Sequence, residues 1–236
     1  MSFDLKLHAY RLLMDEPFFA ALSRKIEKRE DRSIPTAGVR VDPETAQFEM
    51  IYNPDFFDSL PEEQVRGVLK HEFYHLIFEH VTSRKPEGVT HQLWNVCADL
   101  AINSHLVGEL PDNCCMPGVG PFEGLPKGET AEWYLANFPE RPEGEGEGKG
   151  EPGEGSGDGE GSGEGESFDD HSGWSEDGDS PAQQAANQMA KERLKQAMKE
   201  AAGEAAQSPK GWGSVSGAVK KEIIKRLETK VDWKKV

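Results

Sequence analysis

Residues 69 to 80 read Leu-Lys-His-Glu-Phe-Tyr-His-Leu-Ile-Phe-Glu-His, and within them His71, Glu72 and His75 form an H-E-x-x-H pattern. On a helix, residues four apart stand one above the other, about 6 Å along the axis, so His71 and His75 can turn ring nitrogens toward one cation. Glu72 falls beside that point without occupying it. The pattern is that of a zinc site carrying its own general base, with His71 and His75 as ligands and Glu72 as the base. The surrounding residues predict the helix that the pattern needs. Ser59-Leu-Pro-Glu62 has capping-box spacing, Pro61 is tolerated in a first turn, and Glu62 and Glu63 suit the positive end of the helix dipole. Val65, Val68, Leu69, Phe73, Leu76 and Ile77 recur at steps of three and four and predict an apolar face. The bland alternative is a solvated His pair on an ordinary amphipathic helix.

A catalytic zinc takes three protein ligands and leaves a fourth position to water, so a third ligand is expected downstream. His80, five residues after His75, would lie on the opposite side of a continuous helix and would ligate only if the helix broke first. The longer pattern with a third His six residues after the second is disfavoured, because position 81 is Val. A second predicted helix carries His91, Asn95, Asp99 and Asn103 at steps of four among Leu93, Trp94, Val96, Ala98, Leu100, Ala101 and Ile102. A polar stripe in an apolar helix needs a buried partner. Asp99 is therefore the expected third ligand. Asn103, one turn on, is expected to accept the free ring N–H of a ligand His, and His91 is expected either behind a ligand or at the rim. The alternative is a stripe satisfied by backbone and loop contacts.

The run Leu69 to His80, followed by Trp94-Asn-Val-Cys-Ala-Asp-Leu-Ala-Ile-Asn103, resembles the metallopeptidase domain that in many bacterial proteins precedes a von Willebrand A-like domain, with phage relatives. Glu16-Pro-Phe-Phe19, Pro35 to Asp42, Tyr52-Asn-Pro-Asp55, Gly211 to Gly217 and Val231-Asp-Trp233 extend the resemblance over most of the chain. It implies a zincin-like fold, with His71, His75 and Asp99 at the ligand positions and Glu72 at the catalytic position. It also implies an ATPase or an A-like domain as a partner. No Asp-x-Ser-x-Ser metal-adhesion motif occurs in these residues.

The net charge of −16 argues against nucleic acid as the main partner. Residues 141 to 180 hold 14 acidic and 2 basic side chains, net −12, together with 13 of the 25 Gly, so the rest of the chain is only −4. Such a tract cannot bury enough apolar surface to offset its chain entropy and is expected to be a flexible, acidic linker. Near its end, Phe168-Asp-Asp-His171-Ser-Gly-Trp174 is an island of aromatic and ionisable residues. It is expected to dock over the cleft, so that His171 stabilises an oxyanion or caps the zinc; the alternative is a plain docking motif. No apolar run of membrane-spanning length and no signal-peptide pattern is present, so a cytoplasmic protein without membrane contact is expected. Cys97, Cys114 and Cys115 lack C-x-x-C spacing, and Cys97 is expected as a buried thiol.

Elsewhere, 3 to 14 and 17 to 27 read as two helices broken at Glu16-Pro17, and 38 to 42 with 47 to 53 as a β-hairpin along which a peptide could add as a strand. After the linker, Ala190, Leu194, Ala197, Met198, Ala201 and Ala205 stripe one helix. Val215, Val219, Ile223, Leu227 and Val231 stripe another that follows Ser214. The expected fold is α+β and mostly helical: a zincin-like domain over 1–140, a linker over 141–180 and a C-terminal helical segment over 181–236. The expected function is zinc-dependent hydrolysis of a peptide or protein substrate. The rivals are a non-catalytic zinc-stapled module that recruits a partner, and a zinc amidase acting on a small substrate.

Overall fold

The computed structural model describes residues 5–82, 85–139 and 181–227. The acidic tract of 141–180, the Phe168 to Trp174 island with His171, and Val231 lie outside the described residues. The architecture is α+β, with a small three-stranded sheet among helices. In chain order, α1 (Leu5–Asp15) and α2 (Pro17–Ser23) lead into β1 (Glu27–Glu30), β2 (Ala37–Val41) and β3 (Phe48–Tyr52). Then come the short α3 (Pro54–Asp58), the motif helix α4 (Glu62–Ile77), the stripe helix α5 (His91–Asn103), α6 (Ala131–Ala136), the long α7 (Pro181–Gln207) and α8 (Gly217–Leu227).

The hairpin forms as its alternation predicts, β2 pairing antiparallel with β3 in the register Val39 opposite Met50. Two expectations near it need correction. The second helix ends at Ser23 rather than running to 27, and Glu27–Glu30 instead joins the sheet as β1, parallel to β3. A four-residue charged strand has no apolar alternation to betray it; it is held by ladder hydrogen bonds on an exposed edge. The capping box before α4 does not form either. The N-cap is Pro61 with no side-chain bond, and Ser59 instead closes α3, its Oγ donating to the Phe56 carbonyl at 2.6 Å.

One core runs from α2 across the sheet to α4 and on to α7 and α8. Phe18, Phe19 and Leu22 of α2 are fully buried, with Phe19 edge-on to Tyr74 of α4 and Phe18 stacked on Trp212 at 4.5 Å between centroids. The whole predicted stripe of α7, from Ala190 to Ala205, is buried against α2 and its neighbours. Arg193 donates to the carbonyls of Thr45 at 2.6 Å and Ala46 at 2.8 Å, fixing the hairpin turn to α7. The C-terminal helices thus pack on the same core as the motif helix.

A second core packs α5 against α6 through Trp94, Cys97, Leu100, Phe122 and Tyr134. Its junction with α4 is close at Gly67, where an added Cβ would stand 1.9 Å from the Glu109 carbonyl oxygen. Only glycine lets the loop after α5 reach the motif helix one turn before His71. Gly67→Ala is expected to cost about 3 kcal/mol, the upper end for forced overpacking, readable as a shift in the urea midpoint at unchanged slope.

Candidate metal centre

The site is built where α4 crosses α5. His71 and His75 stand one turn apart on α4, and Asp99 and Asn103 stand one turn apart on α5. His71 meets Asn103 while His75 meets Asp99, so the two helices run in opposite senses across the site. All four side chains, and Glu72 with them, are fully buried. Thr90 caps α5, its side chain accepting from the Leu93 N–H at 3.3 Å, and the apolar residues of α5 face the second core.

Three ligand atoms converge. His75 Nε2 lies 2.9 Å from His71 Nε2 and 3.2 Å from Asp99 Oδ1, and His71 Nε2 lies 3.7 Å from the same oxygen. Among the described residues this is the group of His, Cys, Asp or Glu side chains close enough to hold one ion. The spacing can be tested against a metal. Tetrahedral zinc with bonds of about 2.0–2.1 Å needs ligand atoms about 3.3–3.4 Å apart. The three observed separations straddle that value. The donor set points the same way: two imidazole nitrogens and a carboxylate oxygen suit zinc chemistry, and a carboxylate closed off from water beside two ring nitrogens calls for a cation among them.

The tautomers follow from the surroundings. With Nε2 of His71 turned into the cluster, its Nδ1–H donates to Asn103 Oδ1 at 2.8 Å. Asn103 is oriented in turn, its Nδ2 donating to the Cys115 carbonyl at 2.7 Å. This is the role expected of Asn103 from its place in the stripe. Cys97 is not among the atoms close enough to share the ion; it packs in the second core, where burial, with the charge of Asp99 behind it, pushes its thiol up to about 12.

Comparison with protein families finds that residues 2–236 match a family described as "Putative metallopeptidase domain". The chain belongs to that family. Comparison with curated proteins and with solved structures finds no match. Membership in the metallopeptidase-domain family and the His-His-Asp cluster agree on a metal cofactor. Among the described residues no helix is long and apolar enough to cross a membrane.

Of the residues singled out from sequence, the structure brings His71, His75, Asp99 and Asn103 together and places Glu72 between the two His on the same helix. His91 opens α5, half-buried and two turns from Asp99. The break in the helix on which the placement of His80 depended does occur. The helix stops at Ile77, and the chain returns His80 to 3.3 Å from His75. A second surprise is Lys70, buried beside His71, which forms an ion pair with Glu109, reaches Glu16 at 3.5 Å and donates to Ser214 Oγ at 3.0 Å. Only its place beside Ile77, at the edge of the apolar face, could have suggested burial.

Proposed function

We propose that this protein is a zinc-dependent peptidase. The observation that carries the reading is the convergence of His71 Nε2, His75 Nε2 and Asp99 Oδ1 at separations a tetrahedral zinc accepts. His71, His75 and Asp99 would hold the ion, which when bound supplies Lewis acidity, acidifying a water and polarising a carbonyl. The rest falls to the chain itself. Glu72 follows His71 by one residue and precedes His75 by three, so its carboxylate shares the flank of the helix that carries the site. It takes a proton from the attacking water at a carboxylate oxygen and delivers it to the departing nitrogen. Asn103 holds His71 in the tautomer that leaves Nε2 free for ligation. His171 lies outside the described residues, and its part in this reading is the one expected from the sequence, stabilising an oxyanion or capping the zinc. The reaction is amide hydrolysis with a peptide or protein as substrate, in the cytoplasm, with an ATPase or A-like domain as partner.

One observation favours a second reading. Every side chain of the site is fully buried, and structural zinc sites are closed where catalytic ones keep an open position. A zinc staple in a partner-binding module would look closed in this way. The buried Glu72 weighs against it, because a staple has no use for a second carboxylate that is costly to desolvate.

The test is metal content beside activity. Elemental analysis is expected to give one zinc per chain for the native protein, with hydrolysis of an unstructured protein substrate that a chelator abolishes and zinc restores. Asp99→Ala is expected to bind zinc at least about tenfold more weakly and to lose the activity with it. Zinc bound equally well without Asp99 would overturn the ligand set, and zinc at full occupancy with no hydrolysis of any peptide would favour the staple.

A further inference from the structure

The end of the motif helix is built in a way that its sequence conceals. After Ile77, Phe78 leaves the helix and Glu79 takes a left-handed conformation with φ of 61°, unusual for a residue with a side chain. The Glu79 N–H bonds back to the Leu76 carbonyl at 2.9 Å and the His80 N–H to the His75 carbonyl at 3.0 Å. These two bonds define a Schellman cap, whose left-handed position is ordinarily glycine. Such a cap brings the second residue past the helix end against the third residue from its end, in most proteins through an apolar contact. Here those two residues are His80 and His75.

Their rings meet with Nδ1 of one 3.3 Å from Nδ1 of the other and an interplanar angle of 71°. His80 is almost completely buried, edge-on to Trp94 at 5.9 Å, and the Trp94 indole N–H points to the His80 carbonyl at 3.5 Å. The ring is therefore held from three sides: by the cap, by α5 and by His75. A polar ring buried at this depth needs its nitrogens used.

We infer that His80 is a positioning residue for the metal centre, accepting the Nδ1–H of His75 and so fixing the tautomer and ring angle that turn His75 Nε2 toward His71 and Asp99. The two ligand imidazoles are then braced by different means, His71 by Asn103 from α5 and His75 by His80 from the cap of their own helix. The left-handed Glu79 has a purpose in this arrangement: without the reversal it produces, the chain could not bring His80 back. Backbone strain of this kind is retained where surrounding structure uses it.

The inference rests on the zinc reading, and the experiment separates the two. Zinc affinity is measured by competition with a chromophoric chelator for the native protein, His80→Phe, His80→Leu and His80→Asn, with the metal-free melting temperature of each as a check on folding. Phe and Leu keep the volume but accept no hydrogen bond; Asn places an acceptor oxygen near the position of Nδ1. The expected result is affinity about 10–100-fold weaker for Phe and Leu, recovery to within about threefold for Asn, and a cobalt-substituted visible spectrum altered in Phe and Leu but native in Asn. Native affinity in all variants would overturn the inference. So would the loss of one ligand field in every variant, Asn included, which would make His80 a ligand. A native protein that takes up no zinc would overturn the zinc reading itself.

Discussion

Glu72→Gln is expected to leave zinc content and fold intact and to lower the rate of peptide hydrolysis by about 10²–10⁴-fold, the range ascribed to a positioned general base. The substitution is nearly isosteric, and Glu72 is not in the His71, His75 and Asp99 cluster, so no ligand is lost. What disappears is the ability to accept a proton. The stability of the variant should move in the other direction or not at all, because a neutral amide is less costly to bury than a carboxylate at a fully buried position. A fall in rate with an equal or raised melting temperature would separate a chemical role from a packing one. A variant that cleaves as fast as the native protein would remove Glu72 from the mechanism. One that also loses zinc would show that the carboxylate supports the site rather than the chemistry.

The parts of the site legible in the sequence are those whose spacing and helix period agree. His71 and His75 are four apart on a segment with an independent apolar period, and Asp99 and Asn103 are four apart on another; two such polar stripes, once buried, satisfy each other where the helices cross. The hairpin was legible for the same reason, its period of two being interrupted by a plain turn. What escaped depends on where the chain leaves a period. β1 is short, charged and defined by backbone pairing alone. Ser59 fits two helices equally well by local chemistry, and the one before it wins because its last carbonyls lie within reach of the hydroxyl. The position of His80 turns on whether the helix breaks before it, and Glu79, a residue with no intrinsic liking for the left-handed turn it makes, gives no local sign of that break. Lys70 escaped because its partners lie far off in sequence, at Glu16, Glu109 and Ser214, and long-range pairing leaves no trace in local spacing.

Lys70 gives the second large effect. Lys70→Met is expected to lower the free energy of unfolding by about 3–5 kcal/mol, the cost of removing one partner from a buried ion pair. The side chain is 2% exposed and joins three distant parts of the chain: Glu16 at the α1–α2 junction, Glu109 after α5 and Ser214 before α8. Glu16 is itself buried and accepts the Ser214 backbone N–H at 2.7 Å, with Gly213 so close that an added Cβ would stand 2.1 Å from its Oε2. Methionine fills the space of the lysine stem but leaves the Glu16 carboxylate without its ammonium partner. The exposed pair Arg24–Glu204 offers a contrast on the same molecule, since both of its side chains are about half exposed and such pairs contribute about 0–1 kcal/mol. Against a total stability of about 5–15 kcal/mol for a natural domain, the Lys70 loss is large enough to read directly from urea unfolding. Adding Glu16→Gln to Lys70→Met should recover part of it, because the stranded charge is then gone. A single variant that costs less than about 1 kcal/mol would show that Glu16 and Glu109 find water when the lysine is absent. The motif helix would then owe its position to the apolar core alone.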